Sequence, residues 1–246
     1  MLYDPILRHK AMEKLVTRES SGLQEKKYYR YRVDRWYGGI VTGDVVGCGL
    51  YCKFCWVSDS ILKNPEKVGE FYSSIDTADR LLKLLNKSGK GQLRISGGEP
   101  TIGRKHLLKL LDNFKGKGYR FVLETNGILL GYDRSYAEAL SKYDFLHVRV
   151  SLKGCNENEF SVLTGSEAKG FDLQIESLKN LIDAKVSCHP SAMISFSTES
   201  SFKKILIRLS TISSGLEKKL EIEELIQYPR VLNRLNKYGL WNKSKH

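Results

Sequence analysis

The chain has 246 residues with 41% hydrophobic and 10% aromatic content, enough for one large core, and α/β barrels often reach this length as a single domain. Forty Lys and Arg against 28 Asp and Glu give a formal charge of +12, which favours acidic partners such as nucleic acid, nucleotides or an acidic protein and says nothing about the fold. No run of about 18 apolar residues occurs, and the opening MLYDPILRHKAMEKL carries Asp4 and Arg8 to Lys10 where a signal peptide needs an unbroken apolar stretch, so a soluble, cytoplasmic protein without a membrane partner is expected.

The first predicted element is a helix over about 5–18. Next, KKYYRYRVDRWY (26–37) interleaves aromatics with cations; such mixtures can stack on polynucleotides, and they can equally form an edge strand whose long side chains lie over the core, the form expected here. GGIVTGDVVG (38–47) is the first strand candidate and feeds into a cysteine-rich loop. Helix 77–89, with paired leucines and Gly89 as its stop, precedes the buried strand QLRISG (92–97). Helix 106–118, strand 119–127, a helix around 135–143, strand 145–154 and helix 171–185 follow, then strand 186–195, helix 199–211, strand 220–228 and a last helix after Pro229. Six strand-helix alternations predict a parallel sheet, because parallel neighbours require crossover helices. Periodicity does not say whether that sheet closes.

In such sheets chemistry gathers where loops leave the carboxyl ends of the strands. Polar clusters fall there repeatedly: Cys48, Cys52 and Cys55 after the first strand, Gly97, Gly98, Glu99 and Pro100 after the second, Glu124 to Gly127 after the third, Ser151 to Lys153 after the fourth. The remaining Cys155 and Cys188 are isolated, so no second cysteine pair completes a structural zinc site, although His147 or His189 can offer a fourth ligand and a zinc with three thiolates and water stays open. An iron–sulfur cube on three thiolates leaves one iron for an exogenous ligand. Phe54 offers a flat apolar face beside the loop, while Cys155 reads as a buried inert thiol and His189 as a core or supporting histidine.

Cys48-Gly49-Leu50-Tyr51-Cys52-Lys53-Phe54-Cys55, followed by SGGEP at 96–100, resembles the radical S-adenosylmethionine enzymes. LETNG (123–127) and SLKG (151–154) are similar to strand-end motifs of the glycyl-radical-enzyme activating proteins and the 7-carboxy-7-deazaguanine synthases. The resemblance implies a partial (β/α)6 TIM-like barrel over 38–228, with a helical N-terminal extension at 1–37 and a basic C-terminal helix and tail at 229–246. It also implies one [4Fe–4S] cluster on Cys48, Cys52 and Cys55, and S-adenosylmethionine whose ammonium meets Gly97, Gly98 and Glu99, with Pro100 closing that motif. Glu124 and Asn126 are expected at the ribose or methionyl group, Ser151 and Lys153 at the methionyl carboxylate or ribose, and Phe54 beside the cluster. A flavodoxin- or ferredoxin-type reductant is implied, with a substrate that is a protein, a nucleotide or RNA. A zinc-binding nucleic-acid module is the competing reading from another class.

Overall fold

The first helix begins where its sequence supplies a cap. In α1 (Pro5–Val16) the Asp4 carboxylate accepts from the Ile6 and Leu7 amides at 2.7 and 2.9 Å, and Pro5 takes the first turn, where a missing N–H costs nothing. The structure is a computed structural model that describes residues 1–241. After α1, β1 (Thr17–Ser20) and β2 (Leu23–Asp34) form a hairpin whose two turn residues, Ser21 and Gly22, have φ of 50° and 75°. The expected helical extension thus contains two strands as well.

The chain continues through β3 (Ile40–Val45), α2 (Asp59–Lys63), β4 (Glu70–Tyr72), α3 (Ser74–Ser88), β5 (Gln92–Gly97), α4 (Arg104–Asp112) and β6 (Arg120–Thr125). It ends with α5 (Ile128–Tyr132), α6 (Arg134–Leu140), β7 (Leu146–Leu152), α7 (Glu157–Thr164), α8 (Lys169–Asp183), β8 (Ser187–Met193), α9 (Glu199–Ile212), β9 (Glu221–Glu223) and α10 (Pro229–Lys237). Among the described residues the sheet order is β1-β2-β3-β5-β6-β7-β8-β9, with β4 antiparallel on β2; β3, β5, β6, β7, β8 and β9 pair in parallel, and the end strands β1 and β9 do not meet. The result is an open, mostly parallel α/β barrel fragment with helices on its outside.

Alternation along the strands separates two faces. Val41, Val45, Leu93, Ile95, Phe121, Leu123, Val148 and Val150 are buried in the core cluster with helix residues such as Leu81, Leu85, Leu107, Leu110 and Leu178. Each such side chain contributes roughly 1.5–3 kcal/mol on burial. The intervening positions, Thr42, Asp44, Arg94, Ser96, Glu124, Arg149, Ser151 and Ser191, carry the polar side chains of the concave face.

Three expectations change. Segment 26–37 is an edge only in part: β1 and β3 pair along one side of β2 and β4 covers Lys26 to Tyr28 on the other, while Arg30 to Asp34 pair with β3 alone, and stacked Tyr28 and Tyr31 rings 5.3 Å apart anchor the strand. Strand 220–228 shrinks to three residues, because Leu225 N–H donates to the Ser195 hydroxyl at 2.8 Å instead of continuing the ladder and Pro229 starts a helix soon after. Helix 106–118 starts at Arg104 and stops at Asp112, where Gly116 and Gly118 take positive φ in the turns beyond. The C-terminal helix seats Val231 and Leu235 in the core, and residues 242–246 of the expected basic tail lie outside the described residues. No helix among the described residues is long and apolar enough to cross a membrane.

Candidate active site

The cysteine loop leaves β3 at the carboxyl end of the parallel strands and is stitched to the next strand end by backbone alone. Gly98 N–H donates to Val45 O at 2.8 Å and Glu99 N–H to Gly47 O at 2.6 Å. A Cβ at Gly98 would collide with the Gly47 carbonyl, so only glycine permits this approach. Cys55 N–H donates to Cys52 O at 3.0 Å, which curls the loop so that all three thiols lie near one another. Cys52 is buried, Cys48 and Cys55 half-buried, and none is in a disulfide.

These thiols suit a cluster. Burial pushes Cys52 up to about 12 and raises Cys48 and Cys55 above the ordinary thiol range, while Lys153 opposes the rise at Cys52 and Arg234 and Lys153 oppose it at Cys55. Neutral thiols must shed protons to ligate, and nearby cations stabilise the thiolates that result. Among the described residues no three His, Cys, Asp or Glu side chains close around a point that could hold a single metal ion. Ligands of a cube reach separate irons and need not converge.

Glu99 is 2% exposed, and its carboxylate is satisfied within the protein. One oxygen accepts from Thr101 N–H at 3.0 Å, Thr101 Oγ1 at 2.6 Å and Thr125 Oγ1 at 2.7 Å; the other accepts from Asn126 N–H at 2.8 Å. The side chain therefore ties the end of β5 to the end of β6. The Glu99 carboxylate is thus committed to the protein's own donors, and the Glu99 carbonyl also accepts from Ile102 N–H at 3.3 Å.

Under the same segment lies a residue that the sequence reading missed. Lys26, 1% exposed, points its Nζ at Glu99 O (2.8 Å), Pro100 O (3.0 Å) and Ile102 O. Burial pulls its pKa down to about 7 and Glu99 draws it back up; three carbonyl acceptors match the three N–H groups of an ammonium. Nothing in the sequence distinguishes Lys26 from the other lysines.

The concave face below the rim is a lattice of charge pairs. Arg94 joins Glu124 at 2.8 Å to Asp34 at 2.7 Å, and Glu124 also accepts from Ser96 at 2.7 Å and Tyr37 at 2.8 Å. Burial pushes the Glu124 carboxyl up, but Arg94 and Arg149 outweigh it and hold the group below its ordinary range. Arg149 bridges Glu221, Glu223 and the Ser191 hydroxyl. Ser151 accepts from Lys153 Nζ at 2.6 Å and donates to Glu223 at 3.3 Å, and Lys153 Nζ stands 5.9 Å from the Phe54 ring, whose other neighbour is Phe196 at 6.0 Å.

The structure thus brings the three cysteines, Phe54, Gly97 to Pro100, Asn126, Ser151 and Lys153 to one rim, with Glu124 a step down the concave face. His189 lies apart, between His147 Nε2 (2.6 Å) and Glu221 (3.0 Å), at the opposite end of the strands. Cys155 is buried and Cys188 half-buried on β8. Two further contributors were not foreseen: Arg234 of α10 donates to Cys55 O at 2.7 Å and Val57 O at 3.0 Å, and Arg230 to Trp56 O at 2.9 Å.

An open parallel barrel with three free thiols at its carboxyl rim, beside a glycine-lined strand end, defines an enzyme built around an iron–sulfur cluster and S-adenosylmethionine. The family model described as the Radical SAM superfamily matches residues 44–209, and the chain belongs to that superfamily. It is 31% identical over 137 residues to the Probable GTP 3′,8-cyclase of Saccharolobus islandicus (strain M.14.25 / Kamchatka #1), covering 55% of this chain and 41% of that one. Molybdenum cofactor biosynthesis protein 1 of Dictyostelium discoideum is 30% identical over 155 residues, covering 57% and 22%. The chain therefore spans less than half the length of these curated relatives. Among solved structures, Streptococcus suis SuiB bound to S-adenosylmethionine superposes with a TM-score of 0.60 at 19% identity, covering 79% of this chain and 44% of that one. TYW1 with a lysine-pyruvate adduct bound gives 0.52 at 13% identity, covering 95% and 87%. Both likenesses are of fold. The protein is thus a radical SAM enzyme, and the cofactors of that superfamily are a [4Fe–4S] cluster and S-adenosylmethionine.

Proposed function

We propose that this enzyme abstracts hydrogen from a nucleotide-class heterocycle held against the concave face, with Cys48, Cys52 and Cys55 holding the cluster. When bound there, the cluster would supply one-electron reduction and S-adenosylmethionine would supply the hydrogen-abstracting 5′-deoxyadenosyl group. A flavodoxin- or ferredoxin-type protein is the proposed source of that electron. The chain's own residues orient and enclose. Backbone acceptors of Gly97 and Gly98 receive the methionyl ammonium, with Glu99 bracing the strand end and Pro100 fixing the turn; Lys153, steadied by Ser151, pairs with the carboxylate; Asn126 and Glu124 border the ribose; Phe54 covers the flank.

The observation that carries the substrate class is the alternation of paired arginines and carboxylates on the concave face. Each buried arginine is shared between two carboxylates, Arg94 by Asp34 and Glu124, and Arg149 by Glu221 and Glu223. Arg30 and Arg32 in turn share Asp44, and Arg32 also meets Asp34, so the face offers guanidinium donors and carboxylate acceptors side by side, which suits a ligand edge that carries both N–H donors and acceptors, such as a purine- or pterin-like ring. The likeness to proteins named GTP 3′,8-cyclase supports the same class. A glycyl-radical activating role is the lesser reading, resting on the LETNG and SLKG motifs alone.

The test is anaerobic reconstitution with iron and sulfide, then dithionite and S-adenosylmethionine with guanine nucleotides, RNA or peptides added singly. Stimulation of 5′-deoxyadenosine by a free nucleotide, with deuterium carried from that substrate into the product, is expected. Stimulation only by a protein that gains a glycyl radical would overturn the reading.

A further inference from the structure

We propose that His9 and Asn126 form a hydrogen-bond relay that sets the electron affinity of the cluster through the Cys48 sulfur; this rests on the reading that Cys48 ligates the cluster. His9 belongs to α1, outside the segment that matches the family model, and is 1% exposed. Its ring lies against the cysteine loop so closely that any side chain at Gly49 would collide with it. An N-terminal helix outside the family-matched segment thus reaches the centre of the site.

The proton positions follow from the partners. His9 Nδ1 sits 2.6 Å from Pro5 O, and a carbonyl can only accept, so Nδ1 carries the hydrogen and Nε2 presents a lone pair. Asn126 Nδ2 lies 3.1 Å from that lone pair and 3.7 Å from Cys48 Sγ, so one amide hydrogen serves the ring and the other is directed to the sulfur. Asn126 Oδ1 meanwhile accepts from Ile128 N–H at 3.0 Å. Flipping the amide would set its oxygen against the Nε2 lone pair and its NH2 against an N–H, so only one orientation satisfies every partner. His9 is a positioning residue: it touches neither sulfur nor iron but keeps the amide aimed.

A donor to a ligating sulfur disperses the extra charge of the reduced cluster and raises its potential. His9→Leu removes the acceptor and frees the amide, so the potential should move negative. His9→Gln places a carbonyl oxygen near the former Nε2 and should restore it.

The experiment is an EPR-monitored redox titration of the cluster-loaded full chain without S-adenosylmethionine, for wild type and both variants. A negative shift in His9→Leu with recovery in His9→Gln is expected. Equal potentials in wild type and His9→Leu, both with full iron and sulfide, would overturn the relay. Should His9→Leu not fold, wild-type protein labelled with 15N in asparagine side chains decides. A 15N hyperfine coupling in the reduced cluster supports the relay, and its absence refutes it. A wild type that binds no cluster refutes the ligand reading itself, and the relay with it.

Discussion

The rim and the concave face of this barrel are both polar and lie within a few residues of each other on the same strands, yet they are held by different forces. At the rim, backbone meets backbone: Gly98 and Glu99 amides bond to Val45 and Gly47 carbonyls, and Lys26 gathers three further carbonyls from below. On the concave face, side chains from separate strands neutralise one another, as Arg149 of β7 does with Glu221 and Glu223 of β9. A rim of that kind suits a cofactor of constant shape, since backbone positions barely respond to substitution. A lattice of charged side chains is adjustable, and there substrate preference is expected to reside.

The comparison is tested most severely at the rim. Cys52→Ala should abolish bound iron and 5′-deoxyadenosine formation, while Cys155→Ala should leave both unchanged; iron and sulfide assays with product chromatography distinguish them.

Lys26→Met should follow in size. It leaves buried carbonyls without a donor, at about 1–3 kcal/mol each before relaxation, so a loss of about 2–5 kcal/mol is expected in denaturant unfolding of the apo chain. Its pH signature is specific. The folded-state pKa, about 7, lies below the ordinary lysine value of 10.5, so the unfolded chain binds more protons between those limits and this residue makes stability rise with pH there. The slope should vanish in Lys26→Met.

On the concave face, Arg149→Met should keep the cluster and the slow cleavage of S-adenosylmethionine seen without substrate. Substrate-dependent turnover should fall about tenfold or more, because Glu221 and Glu223 lose their shared cation. Equal loss of both activities would show that the two regions are not separable. Glu99→Gln is smaller and crosses the boundary between them. The cluster should remain, and S-adenosylmethionine should bind about three- to tenfold more weakly, roughly 1 kcal/mol, read by equilibrium dialysis.

The smallest effect belongs to the sheet edge. The bonds from His189 and Arg149 hold Glu221 down at about 2, so its contribution to stability is complete above its ordinary value of 4.5 and is lost as pH falls through about 2. Glu221→Gln should flatten that acid limb in apo protein; an unchanged limb would place its origin elsewhere.

Much of this was legible along the chain. Strand 92–97 and the helices around 77–89, 171–185 and 199–211 match β5, α3, α8 and α9 closely, because buried strands and amphipathic helices leave a local period. β2 is the expected edge over Arg30 to Asp34, but the cover that β4 gives Lys26 to Tyr28 was not legible, because alternating cations and aromatics record only that one face is covered, not how many neighbours a strand has. The short β9 failed for another reason: Leu225, Ile226 and Tyr228 keep the sequence rich in strand formers past Glu223, but a side-chain acceptor at Ser195 takes over the pairing.

By itself the sequence determined the thiol loop, the glycine-lined strand end and the alternation that makes a parallel α/β sheet, since each of these is written within a few adjacent residues. Only tertiary structure decided that Lys26 supports a loop 73 residues away, that His9 meets Asn126 across 117 residues, and that Arg149 finds its carboxylates 72 and 74 residues on. Contacts at that separation leave no period and no spacing. They are chosen by which buried polar groups the folded chain happens to bring within bonding distance, and burial then makes each pairing obligatory.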